Sequence, residues 1–106
     1  MIPGFAHAAE AEVPVDSYSR LIVGKWEVRT YGYSFLPDGT CSTFNPDNNE
    51  VLDTGTWSLK GKKLTMAWQT TGKQTVGVNF LSKDSWEWQS TPERVWEATR
   101  LPAGSN

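Results

Sequence analysis

The chain has 106 residues and a formal net charge of −2, with 38% hydrophobic and 21% charged residues. This composition is that of one ordinary globular domain, and it excludes a wholly disordered chain and a collagen-like repeat. No apolar run approaches the roughly 20 residues that span a bilayer. The single cysteine, Cys41, cannot form an intrachain disulfide, so the fold must be held by packing alone.

Residues 1–16 differ in composition from the rest and are interpreted as a flexible leader. They contain Ala6-His7-Ala8, which has the small-x-small form of a signal-peptidase site. The five residues before it cannot supply both the basic and the apolar region of a complete export signal. Two interpretations stay open, an ordinary leader and the remnant of an export signal, and the triplet slightly favours an exported (periplasmic or secreted) protein. The folded domain is expected at residues 17–103.

A short helical turn is expected just before Gly24, and strands follow it. After Gly24, turn-forming residues recur roughly every 8 to 12 residues, the spacing of an antiparallel meander. The runs between them alternate apolar and polar side chains, so one face of each strand meets a core. Closure of such a sheet removes its exposed edges. The sequence therefore predicts an all-β fold, a single up-and-down antiparallel barrel of about eight short strands near residues 24–30, 31–36, 40–45, 50–59, 63–70, 74–81, 85–90 and 94–101.

The start of the first strand and three later hairpins resemble a known family. The helical turn leads into Gly24-Lys25-Trp26, and the hairpin sequences follow in order at residues 35–40, 55–65 and 78–88. This ordered set resembles the small bacterial lipocalin-like domains of the calycin superfamily, over about residues 20 to 101.

The resemblance implies a ligand-binding barrel with a closed base. In calycins an Arg or Lys on the last strand packs over the first-strand tryptophan, and Arg100 is the matching position here. Gly24, Trp26 and Arg100 are therefore expected to form the structural base of the barrel. The chain is much shorter than a full lipocalin and lacks the second lipocalin signature and the disulfide pair.

The opposite end of the barrel, called the mouth from here on, is the predicted binding end. Alternate turns of an up-and-down barrel lie at opposite ends, and the mouth is expected to carry mostly longer, polar loops, which bind ligands more often than tight turns. Extending the inward face of each strand toward the mouth places polar and aromatic side chains in a ring. The predicted ligand-binding residues are Tyr31, Tyr33, Asp53, Trp68, Gln74, Trp88, Arg94 and Trp96.

The six tryptophans leave two interpretations of the interior open. An eight-stranded barrel is just wide enough to be filled by side chains or to hold one small molecule, and each tryptophan buries roughly 150–250 Å². One hypothesis is a binding protein for a small apolar or aromatic molecule. The other is a cell-envelope protein-interaction or inhibitor module with a filled, ligand-free core, which binds a protein through loops 45–50 and 69–74.

Catalytic and cofactor chemistry finds little support in the sequence. The only histidine, His7, lies in the leader, so the domain has no Ser-His or Cys-His couple and no zinc-ligand set. A glycine-rich phosphate loop is absent, and we expect no enzymatic activity, no cofactor and no metal. Lysines 60, 62 and 63 share one turn, which indicates a solvated hairpin tip rather than a nucleic-acid groove. Neither nucleic acid nor a membrane span is expected.

Overall fold

A computed structural model describes residues 13–102 of the chain. Eight antiparallel strands form a closed barrel in which each strand pairs with its neighbours along the chain and the last pairs with the first. The predicted fold class is therefore confirmed. The strands are β1 (Gly24–Val28), β2 (Tyr31–Phe35), β3 (Thr40–Phe44), β4 (Val51–Lys60), β5 (Lys63–Trp68), β6 (Gly72–Ser82), β7 (Ser85–Thr91) and β8 (Arg94–Arg100).

The predicted strand boundaries differ from the observed ones mainly at the mouth. The first turn lies at residues 29–30, where Arg29 has a positive φ of 58°. Because β7 reaches Thr91 and β8 begins at Arg94, the last turn is also only two residues long. The β5–β6 turn, residues 69–71, is short as well. The expectation of mostly longer loops at the mouth is therefore wrong for these three turns, and it holds for the six residues of 45–50.

A short helical segment covers the base of the barrel. A 3-10 turn, Val15–Ser17, leads into helix α1, Tyr18–Leu21, and Val13 packs against the core from just before it. Tyr18 is only 2% exposed, its ring centroid lies 4.9 Å from that of Phe80, and its hydroxyl accepts a hydrogen bond from the Phe80 N–H at 3.1 Å. Of the predicted leader, residues 1–12 lie outside the described residues.

The base is closed by the predicted contact between β8 and β1. The Arg100 guanidinium lies 4.2 Å from the ring centroid of Trp26, which is fully buried and donates its Nε1–H to the Ile22 carbonyl at 2.8 Å. Gly24 is required beside it, because its φ is +135° and a Cβ there would lie 2.7 Å from Arg100 Nη1.

Arg100 also ties three separate segments together at the base. Its Nε donates to Asp84 at 2.9 Å, while its terminal nitrogens donate to backbone carbonyls. The chain enters and leaves the barrel at this end, where the Leu101 N–H donates to the Lys25 carbonyl at 2.9 Å. The three carbonyl acceptors of the guanidinium are those of Leu21, Val23 and Lys83.

Aromatic side chains fill the barrel from base to mouth. Trp26 meets Trp86 edge to face at 5.8 Å between ring centroids, Trp86 stacks on Trp88 at 5.7 Å, and Trp88 contacts Tyr33 at 4.8 Å. Trp86 is fully buried, and within residues 13–102 its Nε1 has no hydrogen-bond partner. The interior below Tyr33 is thus occupied by the protein's own side chains.

Within the described part of the chain, no helix has the length and apolar character needed to cross a membrane.

Candidate functional site

A cavity of about 290 Å³ opens at the mouth of the barrel. Its volume lies near the lower limit of the roughly 300–1,000 Å³ typical of small-molecule sites. The walls come from β2, β3, β4, β5 and β6 and from the β5–β6 turn, so one side of the barrel supplies the whole site. The lining residues are Tyr31, Tyr33, Thr43, Leu52, Asp53, Trp68, Thr70, Thr71 and Gln74.

Five of the eight predicted ligand-binding residues line this cavity: Tyr31, Tyr33, Asp53, Trp68 and Gln74. The ring centroid of Tyr33 lies 6.1 Å from that of Trp68. Both side chains point inward, because alternate residues of a strand lie on the same face and these two lie on the inner face of β2 and β5. Trp88 is not a lining residue, but it supports Tyr33 from below at 4.8 Å. Tyr33 and Trp68 thus form the aromatic floor of the cavity, and Trp88 lies beneath it.

The structure does not bring Arg94 and Trp96 into this cavity. Trp96 is directly opposite Trp88 in the β7–β8 pairing, and the Arg29 guanidinium lies 4.1 Å from its ring centroid. Arg29 and Trp96 thus cover the β8–β1 side of the mouth. Arg94 begins β8 next to the tight last turn and is exposed. Among the described residues, the cavity at the mouth therefore opens on the β2–β6 side, which strand parity alone does not predict.

Asp53 is the one charged residue that lines the cavity. It is half-buried on β4, and its Oδ1 accepts hydrogen bonds from the Thr54 N–H at 2.8 Å and from the Thr70 hydroxyl at 3.2 Å. Its Oδ2 accepts a third hydrogen bond, from the Thr70 N–H at 3.2 Å. The carboxylate thus fixes the β5–β6 turn against β4 while facing the cavity.

Trp68 and Gln74 form a second polar contact in the cavity wall. Trp68 is 7% exposed, and its Nε1–H donates to Gln74 Oε1 at 3.1 Å. Met66 is opposite Gln74 in the β5–β6 register, so the amide extends the inner face of β6 beyond the core. With its oxygen engaged by the indole, the Gln74 amide keeps Nε2 as a donor for a ligand.

Two further titratable side chains on the inner face of the barrel, Tyr33 in the cavity lining and the buried Cys41, are neutral at neutral pH. Burial raises the pKa of the Tyr33 phenol above its ordinary value, with a smaller rise from Tyr31, while a hydrogen bond with Thr43 opposes the rise. Burial also raises the pKa of the Cys41 thiol to about 11, and the charge of Asp53 adds to that rise. Asp53 is the only acidic or basic residue in the lining.

Leu52 and Thr43 line the cavity although the sequence did not single them out. Thr43 continues the inner face of β3 two residues after Cys41, so the period-two pattern could have found it. Leu52 is different, because the β3–β4 register shifts between Thr43 and Phe44. Such a bulge places an extra residue on one strand, and the residue pattern of β4 does not predict it.

A larger concavity, of about 490 Å³, lies at the base between the segment at 13–15 and β6. Its polar side chains are those of Tyr18, Lys62 and Asn79; the Tyr18 hydroxyl already accepts from the Phe80 N–H, and the Asn79 amide donates to Glu87 at 3.1 Å. The mouth cavity is the better candidate, because polar groups from several strands converge there on an aromatic floor. Within residues 13–102 no three His, Cys, Asp or Glu side chains come together as metal ligands would.

Comparison with known proteins identifies the fold. No protein-family model matches the sequence, and no curated protein matches it. The crystal structure of a lipocalin-like protein from Bacteroides uniformis ATCC 8492 is similar with a TM-score of 0.60 at 20% sequence identity, over 76% of this chain and 99% of that chain. Together with the closed eight-stranded barrel, this similarity shows a lipocalin-like barrel fold, as the sequence resemblance predicted.

Proposed function

We propose that this lipocalin-like barrel binds one small amphipathic molecule, with an apolar or aromatic body, in the mouth cavity. The observation that carries the proposal is the cavity itself, in which the aromatic side chains of Tyr33 and Trp68 and the polar groups of Asp53 and Gln74 line the same space. Such a combination of an apolar surface with a few convergent polar groups is typical of small-molecule sites.

The size of the cavity limits the ligand. An engineered cavity of about 150 Å³ takes up one benzene molecule, and the mouth cavity has about twice that volume, 290 Å³. Below it, the stacked rings of Trp86 and Trp88 occupy the barrel axis. The proposed ligand is therefore a single ring or short chain with one polar group, and a long acyl chain does not fit.

The proposal is for a binding protein and not for an enzyme. The Cys41 thiol is buried and its raised pKa of about 11 keeps it protonated at neutral pH, whereas nucleophilic cysteines are thiolates. Asp53 accepts hydrogen bonds from Thr54 and Thr70, and no histidine, lysine or cysteine lines the cavity beside it. These features support binding without chemistry.

The test uses the indole N–H signals in a two-dimensional ¹H–¹⁵N spectrum. Single-ring compounds with neutral, cationic and anionic substituents are titrated into the ¹⁵N-labelled protein. The Trp68 signal is expected to shift, because its indole forms the cavity wall and is bonded to Gln74. The signal of Trp26, fully buried at the base, is expected to stay unchanged.

Two variants serve as matched controls for this titration. Trp68→Phe identifies the Trp68 signal, and Trp57→Phe identifies an indole that donates to the Leu36 carbonyl at the base end. The proposal is rejected if no compound shifts any cavity signal at millimolar concentration, or if the shifts gather around Trp57 instead.

The alternative function, a protein-interaction module, shares the filled interior but needs no ligand. It would use the loop at 45–50 beside the exposed side chains of Val51 and Leu52, which are 57% and 48% exposed. The titration separates the two functions, because a saturable shift confined to the cavity supports only small-molecule binding.

A further inference from the structure

The charge distribution around the mouth cavity restricts the ligand further. Asp53 supplies the only charge among the lining residues, and it is negative. The nearby cations point elsewhere: Arg29 lies over Trp96, and Lys73 is opposite the exposed Ala67 on the outer face of β5 and β6. A ligand in the cavity thus meets one carboxylate and no cationic side chain from its walls.

The Asp53 carboxylate keeps capacity for another donor. An ionised carboxylate offers about four acceptor positions, and three are taken, two of them on Oδ1 and one on Oδ2. All three donors are neutral groups of Thr54 and Thr70. The one ion pair among the described residues joins Arg100 to Asp84 at the base. The charge of Asp53 is thus hydrogen-bonded without being neutralised.

The aromatic groups in the cavity complement the carboxylate. Tyr31, Tyr33 and Trp68 all line the cavity, and the face of an aromatic ring attracts a cation within about 6 Å of its centroid. The same faces also accept the apolar body of a ligand. A neutral phenol at Tyr33, held by burial, adds a hydroxyl without adding charge.

We infer that the ligand of the mouth cavity is a small primary amine, whose ammonium group lies against Asp53 Oδ2 and whose ring or short chain lies against Tyr33 and Trp68. This inference rests on the proposed function and names its ligand class. An ammonium group has three donors, and a charge-assisted hydrogen bond is about twice as strong as a neutral one. An anionic ligand of the same shape is repelled by Asp53 and finds no cation in the walls.

The experiment compares three probes of nearly equal size and shape: 2-phenylethylamine, 2-phenylethanol and 3-phenylpropanoate. Dissociation constants are measured at pH 7 from the shift of the Trp68 indole signal. We expect the amine to bind about tenfold more tightly than the alcohol, because both can donate a hydrogen bond to the half-buried carboxylate but only the ammonium brings an opposite charge. The propanoate is expected to bind more weakly than the alcohol.

A matched pair of variants assigns the preference to one carboxylate. Asp53→Asn keeps the side-chain shape and an oxygen acceptor, and it is expected to bring the amine to within about twofold of the alcohol, since the ammonium then meets no opposite charge. Asp47→Asn changes the net charge equally in the loop at 45–50, outside the cavity lining, and it is expected to keep the preference. Circular dichroism melts confirm that each variant is folded.

A salt series on the unmodified protein tests the same point without a substitution. Raising the ionic strength shortens the screening length, so the amine is expected to lose affinity while the alcohol is not. Equal or tighter binding of the alcohol or the propanoate overturns the amine inference and leaves the proposed function standing. If Asp53→Asn and Asp47→Asn lose the preference for the amine equally, the inference is also overturned, because the preference then depends on the net charge of the protein and not on Asp53. No binding by any probe overturns the proposed function and the inference together.

Discussion

Arg100, at the end of β8, connects several separate segments at the base of the barrel. Its guanidinium lies over Trp26 and donates to three carbonyls and to Asp84. A planar group with five donors can do this, whereas an ammonium cannot match the fork geometry. The helical segment, β1 and the β6–β7 turn are thereby joined at one point.

We predict that Arg100→Lys lowers the free energy of unfolding by about 2–3 kcal/mol, because several hydrogen bonds to a charged donor and the stacked contact are lost. Urea denaturation measures the change. Asp84→Asn is the matched control. Its side chain is 55% exposed, and an exposed ion pair contributes less than about 1 kcal/mol. If Asp84→Asn lowers the free energy of unfolding as much as Arg100→Lys does, the ion pair stabilises the base, and the hydrogen bonds of the guanidinium to the backbone carbonyls do not.

At the scale of the strands, the close approach of β4 and β5 depends on a missing side chain. Gly55 is opposite Trp68 in the β4–β5 register, and a Cβ at position 55 would overlap the backbone carbonyl oxygen of Ala67. Backbone atoms of two paired strands cannot move aside as a flexible side chain can. The tight pairing of these strands also places Asp53 and Trp68 in the same cavity.

We predict that Gly55→Ala destabilises the protein by about 2–4 kcal/mol through this overlap. Gly77→Ala is its matched control, because a Cβ there meets Gln89 at an ordinary distance of 3.5 Å. A strand glycine of that kind loses chain entropy on folding, so the control is expected to be neutral or slightly stabilising. Thermal melts of the two variants that coincide would contradict the prediction.

Much of this architecture could be predicted from the residues because hairpin turns and period-two alternation are local properties. They located all eight strands within a few residues and placed Tyr31, Tyr33, Asp53, Trp68 and Gln74 on the side where the cavity opens. These positions follow from parity along single strands, which neighbouring strands only reinforce.

The remainder depends on contacts between residues distant in sequence. Leu52 enters the cavity through a register shift against β3, and the β8–β1 side of the mouth is covered because Arg29 meets Trp96. Tyr18 plugs the base through contact with Phe80, although a four-residue helix shows no periodicity that could predict its buried face. Bulges and plugs of this kind leave no regular pattern in the sequence.

At the scale of the whole molecule, the filled interior makes stability sensitive to alkaline pH. Cys41 is buried, and its pKa is raised from the ordinary value of 9.0 to about 11. Between those two pH values the unfolded chain loses the thiol proton while the folded protein retains it. The unfolded state therefore binds fewer protons in this window, and the free energy of unfolding falls as pH rises.

We predict that the stability lost between pH 9 and pH 11 is about 1–2 kcal/mol greater for the unmodified protein than for Cys41→Val, which has no thiol to ionise. Urea denaturation at a series of pH values measures both proteins. Lysines and tyrosines titrate in the same pH range, but both proteins contain them, so their contributions cancel in the difference between the two curves. Parallel curves for the two proteins would show that Cys41 ionises as easily in the fold as in the unfolded chain.

The chain enters and leaves the barrel at the end opposite the cavity. Gly24 begins β1 and Arg100 ends β8 at the base, where Leu101 is bonded to Lys25, whereas the cavity opens at the far end. A fusion partner, an affinity tag or a solid support joined beyond either of these strands therefore leaves the opening facing solution. Immobilised in that orientation, the domain would present its binding surface outward, as a biosensor or capture reagent requires.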